Sequence, residues 1–167
     1  MKSYRNMYEK FIPVAKKHLM FRPMTVTDED ILIFGTVNLR LGGEPRLTPE
    51  LQHLACFTGG MLAIAGRIFN RPGDVEDGAK LADGCVWAYR NTVTGIMPET
   101  FTAIPCENRT SCTWDRQKWY QGIDAMAGES EIRETIAMKK LSPGFARIQD
   151  GRYLLRYSLL PSPGSIC

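Results

Sequence analysis

The amino-acid sequence predicts a mainly α-helical chain, built as helical hairpins joined by loops and short β-strands. Three observations carry this reading. Apolar residues recur at helical spacing over residues 3–19, where Tyr4, Met7, Tyr8, Phe11, Val14 and Ala15 stay in register. A second amphipathic pattern follows Asp74, with Val75, Ala79, Ala82, Val86 and Tyr89 on one face. Runs with strand character are short by comparison, as in Ile31-Leu32-Ile33-Phe34, bounded by acidic residues and Gly35.

Further along the chain, Thr48-Pro49-Glu50 reads as a helix start: a capping hydroxyl, proline in the first turn, and an acid near the positive end of the helix dipole. Gly59-Gly60 is expected to interrupt that helix, which resumes from Met61 to Phe69. Asp74 is expected to cap the next one, which ends before Gly95. Residues 101–114 read as an irregular excursion with strand character, and 115–140 as helix interrupted near Gly128. Tyr153-Leu154-Leu155 reads as a strand, and no internal repeat at a solenoid period is evident.

The chain has 167 residues, 44% of them hydrophobic and 23% charged, enough for one domain with a real core. Its net charge of +3 is small, and its densest basic groups, Lys16-Lys17 and Lys139-Lys140, are only pairs. No basic stripe interleaved with stacking aromatics is present, which argues against a nucleic-acid partner. The longest apolar run, around Met61 to Ala65, is broken by Gly66 and Arg67 and is too short to span a bilayer. The opening Met1-Lys2-Ser3-Tyr4-Arg5 lacks the apolar core of a signal peptide.

The five cysteines form no CxxC pair, and with only His18 and His53 beside them a zinc site is unsupported. Cys106 and Cys112 bracket Asn108-Arg109-Thr110, an N-glycosylation sequon with Asn108 as acceptor. Beside two plausible cysteine pairs, the sequon favours an oxidising compartment.

Three segments carry a resemblance. The first is Gln52-His53-Leu54-Ala55-Cys56-Phe57, followed by Gly59-Gly60-Met61-Leu62-Ala63. The second is Cys85-Val86-Trp87-Ala88-Tyr89, leading to Thr94-Gly95-Ile96-Met97-Pro98-Glu99. The third is Gly151-Arg152-Tyr153-Leu154-Leu155-Arg156. In this order they resemble signatures of glycoside hydrolase family 47, the class I α-1,2-mannosidases, of fungal type. The matching motifs are its His-Leu-x-Cys-Phe stretch, its cysteine-bearing helix with a Thr-Gly-x-x-Pro-Glu loop, and the start of its Tyr-x-Leu-Arg-Pro-Glu motif. The resemblance covers most of residues 3–156 and implies part of an (αα)7 barrel. A chain this short would supply only a few adjacent hairpins, whose apolar faces await the missing remainder of the barrel.

The resemblance also implies a chemistry, inverting hydrolysis of terminal α-1,2-linked mannose on high-mannose N-glycans, with calcium at the pocket base. Inversion needs one carboxyl to protonate the leaving oxygen and another to activate water on the opposite face. Calcium, a hard cation held by oxygens, would orient hydroxyls and water. Glu99 falls on the family's pocket glutamate, as acid/base or as a ligand to calcium-bound waters; taken alone it would be a solvated loop residue. His53 and Leu54 match positions lining the sugar subsite, although His53 by itself reads as a core histidine satisfied by one hydrogen bond. Arg156 matches an arginine that contacts substrate; without the resemblance it is an exposed strand-end residue. Cys56 and Cys85, 29 positions apart (85 − 56), match the family's disulfide, worth about 3–4 kcal/mol in the chain-entropy model. Cys106 and Cys112 would close a second, local clasp.

The sequence departs from the family after Arg156, where Pro-Glu and a later Glu-Ser are replaced by Tyr157-Ser158-Leu159-Leu160 and a tail ending in the fifth cysteine, Cys167. The family's base glutamate, its calcium-binding threonine and its earlier acid and aspartate have no counterpart here, so no metal ligand is assigned in this chain. Residues 1–156 are therefore expected to be a fragment of the catalytic barrel, inactive alone. Residues 157–167 are expected to be a non-family tail from a frameshift or mis-splice, and Met1 an internal methionine. The parent is expected in the secretory pathway, in the endoplasmic reticulum or Golgi lumen or secreted. The alternatives are a non-hydrolytic relative that binds mannose glycans in glycoprotein quality control, and a gene-prediction artefact with no folded product.

Overall fold

The computed structural model describes residues 2–39 and 43–152. Helix α1 (Lys2–His18) forms where the spacing predicts it. Its apolar residues divide between two faces. Ile12 and Ala15 are buried, Ile12 in a cluster with Met20, Leu32, Leu62 and Leu81, whereas Tyr4, Met7, Phe11 and Val14 are exposed. Strand β1 (Met20–Phe21) pairs antiparallel with β2 (Ile33–Phe34), shorter than the strand predicted over 31–34. Strand β3 (Thr36–Asn38) pairs antiparallel with β4 (Arg46–Thr48).

The helix predicted from Thr48 does not start there. Instead β5 (Glu50–Gln52) is one edge of an antiparallel sheet ordered β5-β6-β7, with β6 (Thr100–Ala103) central and β7 (Phe145–Asp150) at the far edge. Glu50 faces Thr102, Leu51 faces Phe101 and Gln52 faces Thr100. Leu51 and Phe101 are buried, at 1% and 0% exposure. Burying two such side chains stabilises by about 3–6 kcal/mol, against about 1 kcal/mol for a helix cap, so the long-range pairing overrides the local signal. A one-turn 3-10 segment (His53–Cys56) then leads into α2 (Phe57–Ile68).

Helix α2 runs unbroken through Gly59-Gly60, contrary to the predicted interruption. Gly59 marks the crossing with α3 (Pro72–Arg90): a Cβ there would lie 2.9 Å from the Gly78 carbonyl oxygen, and one at Gly78 would lie 2.7 Å from that of Gly59. The glycines let two backbones touch. Asn70, in the left-handed region at φ 54°, turns the chain after α2, and Pro72 opens α3.

Asp74 is not the cap of α3. Arg71 holds that position without a side-chain bond, and Asp74 lies in the first turn, buried. The buried face of α3 carries Asp74, Gly78, Leu81, Gly84, Trp87 and Ala88, while Ala79, Ala82 and Val86 of the predicted apolar stripe are exposed. Glycines and a paired acid line the contact, so hydrophobic spacing points to the wrong side.

Trp87 stacks on Phe145 (centroids 5.1 Å apart, planes 17°), and Phe145 meets Phe101 at 4.5 Å, joining α3 to the sheet. Helix α4 (Arg116–Ile123) is capped by Asp115, which accepts from the backbone N–H of Gln117 and Lys118. It covers β7, and Trp119 Nε1–H donates to the Phe145 carbonyl (2.8 Å). Helix α5 (Glu129–Lys139) starts just after Gly128, as predicted. The predicted strand at Tyr153–Leu155, Arg156, and the tail 157–167 with Cys167 lie outside the described residues. Among the described residues no helix is long and apolar enough to cross a membrane.

Candidate active-site segment

The β5–β6 ladder continues one step beyond Gln52 and Thr100, where the His53 backbone N–H donates to the Glu99 carbonyl (2.9 Å). Two motifs separated by more than forty residues therefore meet at one end of the sheet. The His53 ring is 2% exposed, and its Nε2 lies 2.6 Å from the Tyr89 hydroxyl on α3, with the rings edge to face. This is the seat of a satisfied buried histidine. Leu54, next in the chain, is 64% exposed.

Cys56 is joined to Cys85, with Cα atoms 6.0 Å apart, so the 3-10 segment is bolted to α3 just beyond His53. Met97 is buried, with its Sδ 3.9 Å from Cys56 Sγ, and Pro98 is buried beside it. These anchors hold the backbone on which Glu99 emerges, half-buried.

Across the sheet, Asp150 pairs in register with Thr100. The Arg152 guanidinium reaches both Asp150 carboxylate oxygens, at 2.7 Å from Nη2 and 3.0 Å from Nε, and the Arg152 N–H also donates to Asp150. These bonds hold the Asp150 carboxyl at about 2. They also push the Arg152 pKa up, with a smaller contribution from the nearby charge of Glu99. Glu99, Asp150 and Arg152 thus gather at the sheet end where His53 turns away.

Sequence reasoning missed Tyr89 as the partner of His53 and Arg152 as the cation near Glu99. Tyr89 was legible as part of an α3 pattern, but the pairing needs tertiary placement. Among the described residues no three His, Cys, Asp or Glu side chains come together as a metal-ligand group. Calcium takes about 6–8 oxygen ligands, which these residues do not assemble by themselves. The second disulfide, Cys106–Cys112, closes the sequon-bearing excursion with Cα atoms 5.6 Å apart.

A sequence model of glycosyl hydrolase family 47 matches residues 1–160. The chain belongs to this family. A probable mannosyl-oligosaccharide alpha-1,2-mannosidase 1B of Neosartorya fischeri is 48% identical over 111 residues, covering 66% of this chain and 17% of its own length. Another so named, of Aspergillus clavatus, is 28% identical over 159 residues, covering 95% of this chain and 25% of its own. Among solved structures, the alpha-1,2-mannosidase from Trichoderma reesei matches with a TM-score of 0.52 at 16% identity, over 89% of this chain and 37% of its own. That likeness speaks for the fold, mainly α in this family. The chain spans a quarter or less of the length of these curated family 47 relatives.

Proposed function

We propose that this chain is a segment of an inverting α-1,2-mannosidase that removes terminal α-1,2-linked mannose from high-mannose N-glycans, and that alone it is inactive. The observation that carries this reading is the His53–Glu99 backbone bond, which unites the family's two motifs at one sheet end. Glu99 supplies a pocket carboxylate, as acid/base or through bound water. Leu54 offers an apolar contact to the sugar and His53, keyed to Tyr89, forms the wall behind it. Arg156, beyond the described residues, contacts the substrate. Calcium would be held by segments other than the described residues, and of the residues named here only Glu99, as a ligand to calcium-bound waters, would act beside it.

In this reading the hairpin of α2 and α3 belongs to an (αα)7 barrel. Phe57, Met61, Ile64 and Ile68 form an exposed apolar stripe at helical spacing on α2, and Tyr4, Met7, Phe11 and Val14 form a second on α1. Faces like these are ones the rest of the barrel would cover. The two disulfides fit a parent that folds in the secretory lumen or is secreted.

The test is a chimera in which the 111 matched residues of this chain replace their counterparts in the Neosartorya fischeri relative. It is assayed for mannose release from α-1,2-mannobiose, with calcium and then with chelator. The chimera is expected to be active, the chain alone silent, and Glu99→Gln to lower kcat by about 10²–10⁴-fold. A fully active Glu99→Gln chimera would remove Glu99 from the chemistry. Glycan binding without release would favour a non-hydrolytic mannose binder.

A further inference from the structure

Residues 106–112 form a closed loop around the sequon. Its end Cα atoms are 5.6 Å apart, whereas the same stretch fully extended spans about 20 Å. Asn108 is exposed, and its Oδ1 accepts from both the N–H (2.9 Å) and the hydroxyl (2.8 Å) of Thr110. The Asn108 amide nitrogen, the atom a glycan would join, makes no hydrogen bond to the described residues.

Arg109, the middle residue, is drawn the other way. Its guanidinium donates to the carbonyls of Lys16, in the last turn of α1, and Met20, in β1, and partial burial pushes its pKa down. Its own carbonyl accepts from Nη1 of Arg22 (3.0 Å), a side chain only 4% exposed. Arg22 also binds the Asp28 carboxylate (2.6 Å) and the carbonyls of Asp28 and Glu29, and its own carbonyl accepts from the Cys106 N–H (2.9 Å).

We propose that Asn108 is an N-glycan acceptor whose occupancy is decided by a race between oligosaccharyl transfer and closure of the Cys106–Cys112 clasp. The donor class is an oligosaccharide linked to a lipid diphosphate. The Asn108 Nδ2–C1 bond forms as the bond from C1 to the diphosphate oxygen breaks. The electron pair leaves with the diphosphate, and the amide proton passes to a base on the transferase. A transferase must take three consecutive residues into its own groove and reach the asparagine amide and threonine hydroxyl together. In the closed loop that hydroxyl is spent on Asn108, the ring cannot straighten, and Arg109 anchors the middle. The product suits the fold, because a glycan on exposed Asn108 stays in water. Only the act of transfer needs the loop open.

The inference rests on the secretory part of the proposed function, but its readout is a mass shift in this chain and does not depend on mannosidase activity. The full chain is translated behind a cleavable secretory leader into glycosylation-competent microsomes, with leader removal confirming entry. Partial occupancy is expected, shown by two bands that collapse to one with an amidase specific for N-glycans. Asn108→Gln and Thr110→Ala should remove the upper band. Cys112→Ser, and separately reductant during translation, should drive occupancy toward completion, and Cys56→Ser should leave it unchanged. No upper band in any variant would overturn the acceptor assignment. An occupancy indifferent to Cys112 and to reductant, or one that rises equally with Cys56→Ser, would overturn the race.

Discussion

Asp74 offers a decisive perturbation, because two accounts of it predict different results for Asp74→Asn. As a helix cap, Asn replaces Asp with almost no loss. In the structure, however, the carboxylate is buried and receives Lys16 Nζ at 2.6 Å, Arg71 Nε at 2.6 Å and the Tyr8 hydroxyl at 2.9 Å. It ties α1 to α3, and Lys16 reaches on to Asp77 (2.6 Å). Removing one partner of a buried ion pair costs about 3–5 kcal/mol. The two cations are 23% and 34% exposed and regain some water, which favours the lower end. A loss of about 3 kcal/mol lowers Tm by about 6–12 °C in a chain of this size.

Burial raises the Asp74 pKa, but the bonds from Lys16, Arg71 and Tyr8 together outweigh it, so the folded value lies below the ordinary one. A depressed carboxyl stabilises fully above its unfolded pKa and loses that contribution as pH falls through its folded value. The gap between wild type and Asp74→Asn should therefore be full near pH 7 and shrink below about pH 4. Urea unfolding followed by circular dichroism across this range measures it. A gap below about 0.5 kcal/mol at neutral pH would refute the network account and restore the cap.

Gly60→Ala, where an added Cβ meets nothing within 4 Å, should stabilise α2 by about 0.5–1 kcal/mol. Gly78→Ala gains the same propensity, but its Cβ would lie 2.7 Å from one backbone atom and 2.9 Å from another. Overpacking of about 1–3 kcal/mol should then win, and paired denaturation midpoints should move in opposite directions. Tyr89→Phe removes the hydroxyl bonded to buried His53 and should cost about 0.5–1.5 kcal/mol by urea unfolding. Replacing both Cys56 and Cys85 by Ser should cost about 3–4 kcal/mol, read under conditions that leave the other disulfide intact.

The sequence was most legible where structure is local. The α1 periodicity, the break at Gly128 and the irregular sequon loop could each be read within about one window of residues. Its failures share a cause. Thr48-Pro49-Glu50 carries a sound helix-start signal, but Leu51 belongs opposite Phe101, fifty residues away. Gly59-Gly60 looks like a breaker until Gly78 is known to lie against it. Strand β7 is hard to read because adjacent Phe145 and Ala146 are both buried, in different clusters, and register shifts between Thr100 and Phe101 and between Thr102 and Ala103 break strict alternation. Glu99 and His53 were named through resemblance, while Tyr89 and Arg152 required the folded chain.

The same long-range contacts anchor Glu99, the carboxylate of the proposed pocket, more firmly than an ordinary loop residue. A reactive group must be held within about 0.5 Å of its working position, which a free loop after Gly95 would not do. Here the loop ends in two buried residues, Met97 and Pro98, and enters β6 immediately after Glu99. Its carbonyl is held by His53, the ring of His53 by Tyr89, and the 3-10 turn after His53 by a disulfide to the helix that carries Tyr89. These links form a closed circuit from sheet to turn to helix and back. Cutting the disulfide or the Tyr89 bond should loosen Glu99 without touching it, so under the proposed function Tyr89 and Cys85 would be its positioning residues.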